Sequence, residues 1–165
     1  RFYSAAIKSY SEFIKQLDKY LFDASTTSAN YLLSNKSRIP QILMSYNKPL
    51  YRGVFLNNDD YELLISNKFD LKKNTSWTKE EKIATRFLND PKLKFQNQKN
   101  KKIILIKTIH PSNIIIDIDK FISFYGENKL MELGIDELNI DSGMAEKEVL
   151  VGPVKISSKE FKSIS

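Results

Sequence analysis

Apolar residues near the start of the chain recur every three or four positions. Phe2, Tyr3, Ala6, Ile7, Tyr10, Phe13, Ile14, Leu17, Tyr20 and Leu21 mark one face of an amphipathic helix. Ser25-Thr26-Thr27-Ser28 supplies a cap for a second helix through Tyr31, Leu32 and Leu33, because a short hydroxyl can accept a bond from a first-turn amide. Ile39-Pro40 opens a third short helix through Leu43 and Tyr46. From Pro49 the pattern changes, and Leu50 to Phe55 reads as a strand. Asn57 starts a short helix through Tyr61 and Ile65. Thr75-Ser76-Trp77 is an extended piece that feeds a helix over about 79–89, with Thr78-x-x-Glu81 as a capping box. Pro91 to Lys102 reads as a basic, polar linker. Ile103–Ile106 and Ile114–Ile116 are β-branched runs flanking the turn His110-Pro111-Ser112-Asn113. Residues 127–138 suit a short helix and 139–145 a loop containing Gly143. A strand runs from about Lys147 to Ile156, interrupted by Gly152-Pro153. Helices first, then mostly strands without regular βαβ alternation, predict an α+β fold.

The length suits one domain, 1–165, with a helical N-terminal part at 1–47 and a core at 48–165. The absence of cysteine removes disulfides, thiolate nucleophiles and Cys-based zinc sites. The only histidine is His110, so a His-rich metal site is excluded and any Ser–His–Asp triad would have to use it. A net charge of +6 favours encounter with acidic surfaces, nucleic acid among them. There is no glycine-rich phosphate loop, which argues against a Rossmann domain or a P-loop ATPase. No apolar run approaches the roughly 20 residues of a membrane span. The chain opens at Arg1 rather than Met and without a signal-peptide pattern, which suggests processing or excision from a longer protein.

Three pieces carry candidate chemistry: Tyr51-Arg52-Gly53 on a strand, Ser76-Trp77-Thr78 at a strand-to-helix junction, and Glu146-Lys147-Glu148 ahead of Val149-Leu150-Val151. On a strand, positions i and i+2 face one side, so both glutamates are expected to aim at one cleft. In order and strand context these pieces resemble the R-S-E class of mono-ADP-ribosyltransferases, which carries an arginine strand, an S-x-S/T motif and an E-x-E strand. Residues 48–54 (KPLYRGV) resemble the arginine strand of phage arginine transferases. Residues 76–87 (SWTKEEKIATRF) follow the family's run from the serine motif into a helix ending on an aromatic. AEKEVLV at 145–151 is similar to the matching stretch of binary actin-modifying toxins. The likeness covers about 48–156; threonine closes the serine motif, and bulky Trp77 fills its middle.

The resemblance implies two roughly perpendicular antiparallel sheets around a cleft for NAD+, used as substrate, with no metal. It implies that Glu148 stabilises an oxocarbenium-like ribose while neutral nicotinamide departs. Glu146 would orient an acceptor guanidinium and help remove its proton. Arg52 would grip the diphosphate through its planar fork. Ser76 would hold Glu148 in position, with Thr78 alongside. Tyr51 and Gly53 would flank the arginine, and Phe87 would stack on nicotinamide. Asp141, Ser142 and Met144 would sit on a loop that reads the target. The implied partner is a macromolecule, most simply arginine side chains of a protein, met in the cytoplasm of a host or target cell, with delivery by secretion or injection. Transfer to RNA or DNA, plain NAD+ hydrolysis, and a non-enzymatic basic nucleic-acid-binding module are the alternatives. Oligomeric state stays open.

Each residue also has an ordinary reading. The glutamates suit a solvated strand end, Arg52 a surface ion pair, Ser76 a polar strand end and Thr78 a helix cap. Phe87 joins Ile83, Ala84 and Leu88 on a helix core face, and Trp77 suits wall or core. His110 is a turn residue. Asp117-x-Asp119 reads as a strand-to-helix cap rather than a cation site. The lysines between 92 and 102 suit a solvated loop, with a nucleic-acid or acidic-partner contact as the alternative.

Overall fold

The computed structural model describes residues 7–164. Of the first apolar face, Phe2, Tyr3 and Ala6 lie outside the described residues, as do the side chains of Ile7 and Tyr10. The fold is α+β. Helices α1 (Ile7–Asp23) and α2 (Thr26–Ser34) come first, then 3-10 turns at Lys36–Arg38 and Gln41–Met44. There follow β1 (Leu50–Leu56), α3 (Asn58–Ile65), β2 (Phe69–Leu71), β3 (Thr75–Thr78), α4 (Glu81–Leu88), α5 (Pro91–Gln96) and β4 (Lys101–Lys107). After a 3-10 turn at Pro111–Asn113 the chain forms β5 (Ile114–Asp117), α6 (Ile118–Tyr125), α7 (Glu127–Glu132), α8 (Glu137–Ala145), β6 (Glu148–Val151), β7 (Val154–Ile156) and β8 (Phe161–Ile164).

Helix starts follow side-chain capping. Ser25, Asn57, Asp90, Asp117 and Asp136 each accept a bond from an amide of the first turn that follows. The main sheet is antiparallel, in the order β5-β6-β3-β1-β4-β8, and a second sheet is only the pair β2-β7. The strands thus divide into one six-stranded sheet and one two-stranded sheet.

Two large apolar clusters sandwich the middle of the main sheet. Phe13, Ile14, Leu17 and Leu32 from the N-terminal helices meet Phe121, Ile122 and Leu150. On the other side Leu50, Trp77, Ile103, Leu105, Val149 and Val151 pack together. This is why Val149-Leu150-Val151 is a continuous apolar run: alternate side chains enter different cores. A third, smaller cluster joins Ala84 and Leu88 of α4 to Ile104.

Several boundaries differ from the sequence reading. Pro91–Lys102 is not a linker; Asp90 caps α5, proline takes the first turn where its missing N–H costs nothing, and β4 begins at Lys101. Residues 127–138 are not one helix, because the chain breaks at Gly134 (φ +108°) and restarts behind Asp136. Residues 139–145 are helix α8, not a loop. Gly143 serves packing there, since a Cβ would stand 3.0 Å from Ile122 Cδ1 and 3.1 Å from Ile118 Cγ2 on α6. The late strand is two strands in different sheets, parted at Gly152, whose N–H donates to the Asn113 carbonyl at 2.7 Å.

Candidate active site

β3 pairs with β6 along its whole length, with Thr78 opposite Glu148, but meets β1 at one position, Tyr51 opposite Thr78. Next to that single pair, Arg52 replaces a ladder bond with a side chain. Its Nη1 donates to the Ser76 carbonyl at 2.7 Å. The Arg52 Nε is buried without a hydrogen-bond partner.

Glu148 opens β6 and lies within reach of three groups. Its Oε2 accepts from the Tyr20 hydroxyl at 2.8 Å, and the nearby Ser76 side chain and Arg52 charge both favour the ionised carboxylate. Burial nevertheless dominates, and with Glu146 nearby the Glu148 pKa is raised. Burial also lowers the Arg52 pKa, against the opposing pull of Tyr20 and Glu148. The Tyr20 hydroxyl is pushed up, first by burial and then by the Glu148 charge, so it stays a hydrogen-bond donor. Arg52, Ser76, Glu148 and Tyr20 thus converge from β1, β3, β6 and α1.

The two glutamates do not share a cleft as strand periodicity predicts: Glu146 lines the cavity beside Arg52 and Ser76, whereas Glu148 lines neither that cavity nor its neighbour and sits behind them against Tyr20. Glu146 is the exposed C-cap of α8, in helical conformation, and Lys147 is left-handed (φ +48°). The two glutamates therefore sit on either side of a tight turn. The physical reason is the burial of Asn139, Ile140 and Gly143, which carries the helix through to Ala145. The Thr78 hydroxyl fastens that turn by donating to the Glu146 carbonyl at 2.7 Å. The expected capping box does not form: Thr78 is still in β3, Glu80 takes the cap position, and no side chain bonds the first turn there.

Tyr51, Arg52, Ser76, Thr78, Phe87 and Glu146 line one cavity of about 200 Å³. Arg52 and Ser76 also line a second, of about 390 Å³, with Tyr20, Asn30, Lys72 and Asn74. Gly53 lets α4 approach the cleft, for a Cβ would stand 2.8 Å from the Ala84 carbonyl oxygen. Phe87 is 48% exposed and is not a core residue; its ring lies 6.1 Å from Phe55. Trp77 turns to the core, its Nε1 donating to Thr75 Oγ1 at 2.9 Å. Of the expected target loop, Asp141 and Ser142 are exposed on α8 and line neither cavity, and Met144 packs against the N-terminal core.

Tyr20 was not legible as a site residue, because among Leu17 and Leu21 it counts as one more apolar position. Lys79 is a structural residue that the sequence also did not reveal; its Nζ lies 2.9 Å from fully buried Asp117 and 2.9 Å from Asp119. Burial pulls the Lys79 pKa down, but its bonds to Asp119 and Asp117 win and raise it. This triad pins the β3–α4 junction to the β5–α6 corner, and Asp117 also caps α6 through the Lys120 amide. His110 caps the 3-10 turn at Pro111–Asn113. Among the described residues no cluster of three His, Cys, Asp or Glu is placed to hold a metal, and no helix is long and apolar enough to cross a membrane. Comparison of the chain with protein-family models, curated proteins and solved structures returns no match.

Proposed function

We propose that this protein is a mono-ADP-ribosyltransferase that uses NAD+ as substrate, with arginine side chains of a protein as the acceptor. The observation that carries this reading is the convergence of Arg52, Ser76 and Glu148 at one place in the sheet, where Arg52 bonds the Ser76 carbonyl and Glu148 lies close enough to both to interact with them, although 24 residues separate the first two and β6 lies far downstream. Two cavities share Arg52 and Ser76 as a wall, which suits a long ligand lying across them with its diphosphate at the guanidinium.

In this reading the bond between nicotinamide and ribose breaks, and its electron pair leaves with neutral nicotinamide, so no general acid is required. Positive charge grows on the ribose carbon. The Glu148 carboxylate, held by Ser76 and Tyr20, supplies the opposing charge without having to reorganise. Phe87 offers an exposed ring as a wall for the departing base. Glu146, beyond the Lys147 turn, is free in solvent to meet a guanidinium and accept its proton.

The test is incubation with labelled NAD+ and a cell lysate, followed by protease or nuclease treatment of the product. Glu148→Gln is expected to abolish transfer and nicotinamide release together. Glu146→Gln is expected to suppress transfer to arginine while retaining more of the hydrolysis. Identical behaviour of the two variants refutes the division of roles, and absence of both activities in the wild-type protein refutes the reading.

A further inference from the structure

Between Pro91 and Ile116 the chain has six lysines and no acidic residue. The first part of this stretch, 91–102, with five of those lysines, folds into α5 and the entry to β4 and, with Phe55 and Asn89, surrounds a cavity of about 550 Å³. Phe95 stands in it 75% exposed, with Phe55 behind, and Asn89, Gln98, Lys94 and Lys102 contribute the polar walls. Phe55 in turn contacts Phe87, so an aromatic path leads from this cavity to the cleft. Asp90, the acid just before this stretch in the chain, is occupied with the amides of Lys92 and Leu93. Lys92, Lys94 and Lys99 form no ion pair among the described residues.

A lone exposed phenylalanine means little. Set in a pocket with carboxamides and the free ammonium of Lys94, with Lys99 on the adjoining turn, it asks for a ligand with flat faces, hydrogen-bonding edges and regularly spaced negative charge. Single-stranded nucleic acid has all three. An acidic peptide has the charge without the faces. We propose that the α5–β4 corner binds single-stranded nucleic acid, with a base stacked on Phe95, its edge against Asn89 and Gln98, and adjacent phosphates on Lys94 and Lys99. The aromatic platform was invisible in the sequence because its rings come from β1, α4 and α5. The proposal stands without the transferase reading.

The test is fluorescence anisotropy with labelled single-stranded RNA and, separately, DNA of about 12 nucleotides, without NAD+, over a salt series. Saturable binding is expected. Phe95→Ala should weaken it about tenfold at every salt concentration, and Phe95→Trp should restore it. The double variant Lys94→Ala/Lys99→Ala should lower the slope of log Kd against log salt by about 1.4. Circular dichroism checks that these surface variants remain folded. Preference for RNA over DNA would assign a contact to the 2′-hydroxyl. The proposal is overturned if neither strand binds, if an acidic peptide alone binds, or if base-free polyphosphate competes equally and Phe95→Ala binds like the wild-type protein.

Discussion

Glu148 has a raised pKa because burial outweighs the stabilising bonds from Ser76 and Tyr20. The sign of the consequence follows from linkage. A carboxyl with a folded pKa above its unfolded value adds stability below the unfolded value, and that stability is lost as pH rises through the folded pKa. Glu148→Gln carries no charge at any pH and retains the neutral shape. It is therefore expected to melt at a higher temperature than the wild-type protein near about pH 7, with the gap closing towards about pH 4. Thermal unfolding at both pH values measures this. Activity runs the other way, since the proposed role needs the carboxylate. Tyr20→Phe removes a donor that holds the carboxylate ionised. Its pH–rate profile should shift to higher pH, with a stability loss of roughly 1.5 kcal/mol. An unshifted profile would mean that Tyr20 serves packing alone. Arginine, serine and glutamate of this site were legible from the chain as motifs. Tyr20 was not, because its hydroxyl finds a partner 128 residues away.

Elements meet here at close contacts that no local pattern reveals. Gly53→Ala would place a methyl 2.8 Å from the Ala84 carbonyl oxygen and 2.9 Å from Leu88 Cγ, forcing α4 off β1. Such overpacking costs about 1–3 kcal/mol, and α4 carries Phe87, so if the proposed function holds, NAD+ binding measured by calorimetry should weaken with it. Lys79→Met would leave Asp117 buried without its cation. A loss of about 3 kcal/mol in urea unfolding is expected; a near-neutral result would show that the triad adds little to holding the junction. Most elements of this kind announced themselves through caps and apolar runs. Helix α8 did not, because Asn139, Asp141, Ser142 and Gly143 look like loop residues until α6 is packed against them. Helix α8 therefore delivers Glu146 from a helix end before a left-handed turn, not from a strand position.

On the scale of the whole molecule, the N-terminal helices belong to the site as well as to the core. Leu17 is fully buried, one turn from Tyr20, among residues of α6 and β6. Leu17→Ala should cost about 3 kcal/mol and reduce any NAD+ turnover through displaced Tyr20. A turnover unchanged at a temperature where the variant stays folded would argue that α1 supports the sheet without positioning Glu148. What the sequence determined alone is what short-range physics controls: which stretches are helical or extended, where side chains cap helix starts, and which residue types stand in R, S and E order. Those depend on neighbours a few positions away. Tertiary structure decided which groups share one carboxylate, that β1 and β3 part just past Tyr51, and that three phenylalanines from separate elements gather beside a lysine-rich corner. Contacts between residues distant in the chain depend on how elements pack, and packing is a property of volumes and faces that no single stretch contains.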